Sequence, residues 1–483
     1  MDKLSDALER LEKSDLYPFH MPGHKRREIT EWTKPIYLQD ITEIDDFDNL
    51  HHPEGIIKEE QEFAAELFGA EESFFLVNGS SSGVLAAVKT VAQDSNTRLL
   101  MGRNAHKSAY NGLYLSNIRA DYLYPVNIDG ISFAGGITAE SVEKALENES
   151  IYAGVFITSP TYEGVVSDIG AICETAHRKG IPVIVDEAHG AHLGIFGGDG
   201  YFPSGALANG ADIVIQSLHK TLPAMTQTAI LHVQGDLVDR NKLRMNLGIF
   251  QSSSPSYILM KSISSCLHFC KEQGEDLLIK YKERLQNFYQ EGKKLSCLRI
   301  INKDMINNLW QDKISIEMDP GKIIIGTGES GLSGRQLYDI LREKYHLQME
   351  MSANDYVIAM ASIMDTDEGF ERLTAALHEI DMQCTQKKRT SAGEKGFDVK
   401  PEVFCSIGEA LEMQEESVAL AESIGRISRE FVYLYPPGIP LIVPGEKIST
   451  PLVAYLKEAM EARLTVQGLA DYEQKKISCI QFL

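Results

Sequence analysis

The stretch Ile213-Val214-Ile215-Gln216-Ser217-Leu218-His219-Lys220-Thr221 decides how the rest of the chain is interpreted. A short apolar strand runs into a polar turn that carries a lysine. Desolvation at the end of a buried strand can lower the pKa of a lysine, which makes its amine nucleophilic. A lone lysine at a strand end is usually solvated, so the meaning of Lys220 depends on its surroundings.

On both sides of this stretch, short apolar runs alternate with helical patterns, which predicts an α/β fold with a mostly parallel sheet. Seven runs are predicted strands: 73–77, 98–101, 120–126, 153–158, 182–185, 212–216 and 229–232. Helices are predicted at 83–91, 138–148 and 169–179. Ligands of such sheets bind beyond the carboxyl ends of the strands, so we expect the chemistry there.

A hydroxyl-rich turn follows the first predicted strand and contains Ser80, Ser81 and Ser82. Hydroxyls, backbone N–H groups and the positive end of a helix dipole together suit a phosphate group. The alternative is an ordinary serine-capped turn.

An acidic residue, Asp186, comes directly after the apolar run 182–185. A carboxylate in this position could pair with a protonated pyridine nitrogen, and the small Ala188 would let a flat ring lie against it. The alternatives are a structural aspartate at a strand end, or a metal site formed by Asp186, Glu187, His189 and His192.

Two further positions support a shared pocket. Lys220 follows Asp186 by 34 residues, which is compatible with neighbouring strands joined by one connection. His106, after the strand at 98–101, could stack on a planar ring; the alternative is a capping or surface histidine.

Composition limits the classes of function. The 483-residue chain has a formal net charge of −22 and a pI near 5.1, which argues against a nucleic-acid partner and is compatible with a cationic small substrate. No apolar run reaches the length of a membrane span, and Leu4, Ala7, Leu8 and Leu11 have helical spacing instead of a signal-peptide pattern. The seven cysteines are scattered, as in a reduced cytoplasmic protein.

Four consecutive segments are predicted from length and composition. They are an N-terminal segment at 1–35, a large cofactor-binding domain at 36–255, a long helix with a small α/β domain at 256–385, and a C-terminal domain at 386–483. The polar run 386–396 is the predicted linker.

Eight short motifs, in this order, resemble those of the bacterial ornithine/lysine/arginine decarboxylases, which are pyridoxal-phosphate (PLP) enzymes of fold type I, the aspartate-aminotransferase fold. The resemblance covers nearly the whole chain. The motifs are Phe19-His20-Met21-Pro22-Gly23-His24-Lys25, Asn78-Gly79-Ser80-Ser81, Asn104-Ala105-His106-Lys107-Ser108, Pro160-Thr161-Tyr162-Glu163-Gly164, Val185-Asp186-Glu187-Ala188-His189-Gly190, Ser217-Leu218-His219-Lys220, Ser252-Ser253-Ser254-Pro255, and Tyr435-Pro436-Pro437-Gly438-Ile439-Pro440 with Pro444-Gly445-Glu446.

The resemblance implies a role for each site residue. Lys220 would hold PLP as a Schiff base, Asp186 would pair with the ring nitrogen, and His106 would stack on the ring with Ala188 on its other side. The phosphate would lie among Ser80, Ser81, Ser82, Ser217 and His219.

Other implied roles concern the substrate and the assembly. Ser252 or Ser253 would reach the phosphate of a neighbouring subunit, giving a homodimer with shared active sites. Glu446 would contact the substrate, and His189 or Lys220 would return a proton to it. The chain resembles a short form without the N-terminal wing domain, so the ring assemblies linked to that wing are not expected.

The expected reaction is PLP-dependent decarboxylation of lysine, arginine or ornithine, giving CO2 and an amine of the kind used in polyamine biosynthesis. An acidic run at 40–48 could bind the cationic end of such a substrate or could simply be a solvated loop. The nearest alternative is an aminotransferase, although no arginine lies between 347 and 363, where a carboxylate clamp is expected. A nicotinamide oxidoreductase is a weaker alternative, based on a glycine-rich match at 326–331.

Overall fold

The computed structural model describes residues 2–14, 21–22, 25–27, 30–31, 33–93, 96–128, 130, 132–147, 151–309, 316–384, 400–435, 438–461, 464–471, 473 and 475–481. The predicted linker at 386–396 lies outside these residues, as do Phe19, His20, Gly23, His24, Pro436 and Pro437 from the motifs.

Sixteen α-helices lie in the described part of the chain. They are α1 (Lys3–Glu12), α2 (Lys34–Tyr37), α3 (Ile56–Phe68), α4 (Gly79–Val91), α5 (Lys107–Ser116), α6 (Ala139–Leu146), α7 (Ile169–His177), α8 (Ala191–Phe196), α9 (Leu218–Thr221), α10 (Arg240–Phe250), α11 (Tyr257–Gly292), α12 (Lys303–Leu309), α13 (Gly334–Glu343), α14 (Asp367–Gln383), α15 (Ile407–Glu412) and α16 (Thr450–Glu461).

The same residues contain eighteen strands. They are β1 (Glu72–Leu76), β2 (Arg98–Gly102), β3 (Arg119–Leu123), β4 (Tyr152–Thr158), β5 (Val165–Val166), β6 (Val183–Asp186), β7 (Ile213–Gln216), β8 (Ala229–Val233), β9 (Arg299–Ile301), β10 (Glu317–Met318), β11 (Lys322–Gly326), β12 (Met351–Ser352), β13 (Tyr356–Met360), β14 (Glu415–Ala419), β15 (Val432–Leu434), β16 (Pro440–Ile442), β17 (Val466–Gln467) and β18 (Lys476–Ile480).

The seven predicted strands form one sheet in the order β1-β8-β7-β6-β4-β2-β3, which confirms the predicted α/β fold. The pairs β2–β3, β4–β6 and β6–β7 are parallel, whereas β8 is antiparallel to both β1 and β7. Strands β6, β7 and β8 are buried along their whole length, as the uninterrupted apolar runs of a covered sheet require.

The chain divides into two compact units that alternate along the sequence. Unit 1 comprises 1–93, 153–159 and 169–280, and unit 2 comprises 94–152, 160–168 and 281–483. The four consecutive segments predicted from the sequence stay a prediction.

In unit 1, helix α4 packs closely on the sheet because of a glycine. A Cβ atom on Gly83 would lie 2.6 Å from Leu76 Cδ1 and 3.1 Å from Ile215 Cγ2. A larger residue would therefore push α4 away from β1 and β7, whose ends carry the candidate site.

Asp48 shows that one member of the acidic run is structural. Its carboxylate accepts hydrogen bonds from the backbone N–H groups of Asn49, Glu54, Gly55, Ile57 and Lys58 and so caps the start of α3. These contacts lower the pKa of Asp48 against the raising effect of burial. Asp48 is thus already engaged by its own chain.

The described residues of unit 2 form four smaller sheets, and one of them explains the glycine-rich match at 326–331. Strand β11 lies in the antiparallel order β12-β13-β11-β9, which differs from a parallel dinucleotide-binding unit. Gly328 has φ +51°, and a Cβ there would lie 2.4 Å from the Cys297 carbonyl oxygen. The glycine is required by local packing, which removes the main support for the oxidoreductase alternative.

The amphipathic pattern at the N-terminus forms helix α1, with Leu4, Ala7, Leu8 and Leu11 buried as predicted. None of the helices in the described part of the chain combines the length and the apolar character that a membrane span needs.

Candidate active site

The two central site residues lie at the ends of adjacent parallel strands in unit 1. Asp186 ends β6 and pairs in register with Ile215 of β7, and Lys220 lies in the short helix α9 directly after β7. Lys220 Nζ is 3.1 Å from His189 Nε2. The structure therefore brings the three predicted catalytic residues into one region.

Asp186 is a buried carboxylate, 5% exposed, that accepts a hydrogen bond from the Ala188 N–H at 3.1 Å. Burial raises the pKa of Asp186, while the charge of Lys220 and the Ala188 N–H lower it, and the net change is upward. A buried carboxylate gains most from a cationic partner. A protonated pyridine nitrogen is such a partner, so Asp186 fits the role predicted for it.

The start of α4 supplies the features expected of a phosphate site. The helix begins at Gly79, four residues earlier than predicted, so Ser80, Ser81 and Ser82 lie in its first turn. The backbone N–H groups of Ser80 and Ser81 have no intrahelical partner there. The Ser217 hydroxyl donates to Ser80 Oγ at 2.9 Å, which joins the end of β7 to this turn.

Ser82 differs from the other two serines of the turn. It is 3% exposed and its hydroxyl donates to the Gly79 carbonyl at 2.8 Å. As the fourth residue of the helix it also has its backbone N–H paired within the helix, so the N–H groups that suit a phosphate are those of Gly79, Ser80 and Ser81.

His219 donates its Nδ1 proton to the Thr228 carbonyl at 2.8 Å. Burial lowers the pKa of His219, and the nearby Lys220 adds to this. The neutral ring has no proton on Nε2, so a phosphate contact through Nε2 requires protonation of the ring.

Ser252 and Ser253 are exposed on unit 1. The Ser252 N–H donates to Asn78 Oδ1 at 3.1 Å, and its carbonyl accepts from His51 Nε2 at 2.7 Å. Ser252 thus lies beside the residue that precedes α4. Its contact with a neighbouring subunit stays a prediction.

His106 belongs to unit 2, where it caps α5. Its Nδ1 accepts from the Ser108 N–H at 3.2 Å and contacts the Ser108 hydroxyl at 2.9 Å, which places the ring proton on Nε2. A Cβ on Gly438, which has φ +82°, would come within 3.4 Å of this ring. The stacking of His106 on a cofactor stays a prediction.

Glu446, the predicted substrate contact, lies in the interior of unit 2 and is 1% exposed. Its Oε2 accepts from Arg103 Nη2 at 3.0 Å and from the Val443 N–H at 2.9 Å. Burial raises the pKa of Glu446, and the Arg103 guanidinium opposes that rise. We interpret this as a structural ion pair, and the substrate contact stays a prediction.

Glu187 is a buried residue whose contacts the sequence did not indicate. The metal-site alternative grouped it with Asp186, but its carboxylate accepts from Gln216 Nε2 at 2.7 Å and from the Ala206 N–H at 2.8 Å. The sequence feature that could have indicated these contacts is Gln216, a polar residue at the end of an otherwise apolar strand.

Comparison with known proteins gives one consistent result. The family model of the Orn/Lys/Arg decarboxylase major domain matches residues 3–368, and that of the Orn/Lys/Arg decarboxylase C-terminal domain matches residues 397–473.

Similar proteins cover the chain almost completely. An arginine decarboxylase of Bacillus anthracis is 32% identical over 99% of this chain and 97% of its own length, and the uncharacterized protein YaaO of Bacillus subtilis is 34% identical over 98% and 97%. The crystal structure of the Francisella novicida lysine decarboxylase LdcF superposes with a TM-score of 0.83 at 21% identity, covering 100% of this chain and 81% of that one. This last likeness shows the fold.

Proposed function

Because the chain belongs to the Orn/Lys/Arg decarboxylase family, we propose that it uses PLP to remove the α-carboxylate of a basic L-amino acid, releasing CO2 and the corresponding amine. The observation that carries the proposal is the placement of Asp186 and Lys220 at the ends of adjacent parallel strands, with His189 Nε2 3.1 Å from Lys220 Nζ.

Four groups would hold the cofactor. The Lys220 amine would bind its aldehyde carbon, and the buried Asp186 carboxylate would keep a proton on its ring nitrogen. The first turn of α4 and the Ser217 hydroxyl would bind its phosphate. Bound there, PLP supplies an electron sink for the electron pair that remains when the bond between Cα and the carboxylate breaks.

The proton that replaces the carboxylate at Cα would come from Lys220 or His189. The 3.1 Å contact between their nitrogen atoms allows the two side chains to share one proton. Displaced from the cofactor by the substrate amine, Lys220 Nζ would act as the donor, with His189 orienting it.

Arginine is the first substrate to test, because the name of the Bacillus anthracis relative supports it. The formal charge of −22 favours the approach of a cation. Lysine and ornithine differ from arginine in chain length and in lacking a planar guanidinium.

The deciding experiment is incubation of the purified protein and PLP with each of the three amino acids, with measurement of CO2 and identification of the amine. We expect one amine to dominate. Formation of a keto acid without CO2 would replace this proposal with an aminotransferase.

Lys220→Ala is the matched inactive variant for that assay. It should release no CO2 and should lack the visible absorption band that PLP shows when bound to a lysine. Borohydride reduction followed by peptide mapping should place the cofactor on Lys220, and labelling of another peptide would refute the assignment.

We also propose that the active form is a homodimer. Ser252 and Ser253 are exposed next to the start of α4, where a second subunit could reach them. The Ser252 hydroxyl is hydrogen-bonded to the backbone of Ser254, so Ser253 is the better candidate for the contact. Sedimentation should give the mass of a dimer, and Ser253→Ala should weaken the binding of PLP.

A further inference from the structure

A continuous chain of hydrogen bonds runs through the interior of unit 1 behind Asp186. Gln216 Nε2 donates to Glu187 Oε2 at 2.7 Å, His232 Nε2 contacts Gln216 Oε1 at 3.2 Å, and His232 Nδ1 contacts Ser73 Oγ at 2.7 Å. The four residues are 2%, 0%, 0% and 4% exposed in the order Glu187, Gln216, His232, Ser73. One buried chain thus connects β6, β7, β8 and β1.

This chain of hydrogen bonds lies on the face of the sheet opposite to the candidate active site. Successive residues of a strand point to opposite faces, so Glu187 and Gln216 point away from the side on which Asp186 and Ser217 lie. His232 pairs in register with Val214, two residues before Gln216, and with Ser73, which places all four polar residues on one face. Asp186 and Ser217 therefore each have a member of this network as an adjacent residue in sequence.

The backbone ties the two faces together. The Glu187 N–H donates to the Ile215 carbonyl at 2.9 Å, which extends the β6–β7 pairing by one residue beyond Asp186. Through its side chain, Glu187 also contacts Gln216 and the Ala206 N–H. Asp186 therefore lies between the rest of strand β6 and Glu187, a residue that is held by three hydrogen bonds.

The protons of the chain have two consistent arrangements. With Glu187 ionised, Gln216 donates to Glu187 and accepts from His232 Nε2–H, and Ser73 donates to His232 Nδ1. With Glu187 protonated, the carboxyl donates to the Gln216 carbonyl oxygen, the reversed amide donates to His232 Nε2, and His232 Nδ1–H donates to Ser73. One proton on Glu187 therefore sets which nitrogen of His232 carries its proton.

Glu187 is the member of this hydrogen-bonded chain that titrates near neutral pH, whereas the His232 ring stays neutral and changes only its tautomer. The contacts of Glu187 are with neutral N–H donors, and burial raises its pKa to about 8. Burial lowers the pKa of His232 to about 3, so its ring is neutral. Two helices contact this network through uncharged residues: Phe68 of α3 packs against His232, and a Cβ on Gly194 of α8 would lie 2.6 Å from Gln216 Nε2. Helix α8 also carries the buried His192.

We propose that Glu187 is a positioning residue for Asp186 and that it acts through the hydrogen-bonded chain Glu187–Gln216–His232–Ser73. This inference rests on the proposed function, because Asp186 is assigned to the cofactor. These hydrogen bonds hold the ends of β6 and β7 together on the face opposite to the active site. Asp186 and Ser217 would therefore keep their relative position when a ligand binds.

The first test uses the protein without cofactor and measures the His232 tautomer by ¹H–¹⁵N NMR of ¹⁵N-histidine-labelled protein. The chain has 13 histidines, so the His232 signals are assigned with His232→Gln. We expect the proton of the ring to move from Nε2 to Nδ1 as the pH falls through the pKa of Glu187. Glu187→Gln should abolish this change.

Two further variants keep the test decisive. Gln216→Met has a similar volume, retains Glu187 and should uncouple the His232 tautomer from pH. The control Glu60→Gln changes another buried glutamate of unit 1, which is 3% exposed and 2.9 Å from His268 Nε2, and should leave the response of His232 intact. A His232 tautomer that is independent of pH in the wild-type protein would overturn the inference.

The second test separates positioning from stability in the loaded enzyme. Glu187→Gln should lower kcat by about tenfold to a hundredfold with little change in KM, because small displacements of aligned groups are costly. Glu60→Gln should keep the wild-type kcat. An unchanged kcat and an unchanged pH profile in Glu187→Gln would refute the positioning role. The wild-type protein could release no CO2 while the His232 tautomer still changes with the protonation of Glu187. That result would support the hydrogen-bonded chain and contradict the proposed function.

Discussion

At the scale of single residues, Asp186 is the most informative position for testing the site. Asp186→Asn keeps the shape of the side chain but removes the charge that holds a proton on the cofactor ring. We expect kcat for decarboxylation to fall by about a hundredfold to a thousandfold, a cost typical of losing one preorganised electrostatic contact. Steady-state kinetics with the preferred amino acid measures this.

Asp381→Asn is the control for that variant. Asp381 accepts hydrogen bonds from the backbone N–H groups of Ser296, Cys297 and Leu298 in unit 2. Its loss should reduce the stability of the protein and leave kcat unchanged. Equal kcat values for Asp186→Asn and the wild type would contradict the role of Asp186.

The raised pKa of Glu187 predicts how the free energy of unfolding depends on pH. Its pKa is raised by burial from 4.5 to about 8, so between these values the folded protein binds the proton more tightly than the unfolded chain does. The contribution of Glu187 to stability therefore falls as the pH rises through this window. Urea unfolding should show that Glu187→Gln gains stability relative to the wild type as the pH increases, and parallel curves would contradict this.

The sequence could predict that Asp186 and Lys220 lie in one region, because the carboxyl ends of adjacent parallel strands meet at one edge of a sheet. It could not predict the pairing of Arg103 with Glu446, since nothing local in either segment indicates the other. The contact from Glu187 to Gln216 was not predicted for a different reason. Both residues stand beside predicted site residues, Asp186 and Ser217, but their side chains point to the opposite face of the sheet.

At the scale of elements, the close packing of α4 on the sheet can be tested through Gly83. Gly83→Val would place side-chain atoms against Leu76 and Ile215, where a Cβ alone already comes within 2.6 Å. We expect a loss of about 1–3 kcal/mol in the free energy of unfolding, as for other overpacked cores, and weaker binding of PLP. Urea unfolding and a PLP titration measure the two effects.

Gly369 in α14 provides the matched control, because a Cβ there meets nothing within 4 Å. Gly369→Ala should be neutral or stabilising by about 0.4–1 kcal/mol. A Gly83→Val protein as stable as the wild type would show that α4 can shift away from the sheet at no cost.

The pattern of apolar residues predicts the strands of the large sheet better than it predicts where helix α4 begins. All seven strands of the large sheet were predicted within a few residues, because most of them are buried apolar runs. Strand β3 is an exception, since Leu123 is its one buried residue. The start of α4 was predicted four residues too late, since Gly79 and the three serines are poor helix formers. Their place in the first turn of a helix depends on the packing of the helix body and on what that turn binds.

At the scale of the whole molecule, unit 2 depends on a contact between distant parts of the chain. Arg103 and Glu446 are 7% and 1% exposed and form an ion pair at 3.0 Å. Arg103→Met would leave the carboxylate buried without its cation. We expect a loss of about 3–5 kcal/mol in the free energy of unfolding, the usual cost of breaking a buried pair from one side.

The double variant Arg103→Met/Glu446→Gln removes both charges and should recover part of that loss. Urea unfolding of the two single variants and the double variant forms a complete cycle. Additive losses would show that the two charges do not stabilise each other in the folded protein.

The pairing of β1 with β8 has a consequence for synthesis of the protein. Glu72 pairs with Val233 and Leu76 with Ala229, so the first strand to leave the ribosome has no partner until the last strand of the sheet has emerged. During translation, β1 and the apolar surface of α4 must remain exposed or be covered by a chaperone. Such long-range pairing is formed slowly, so a nascent chain that stalls before residue 229 would present an unpaired strand edge to other chains in the cell.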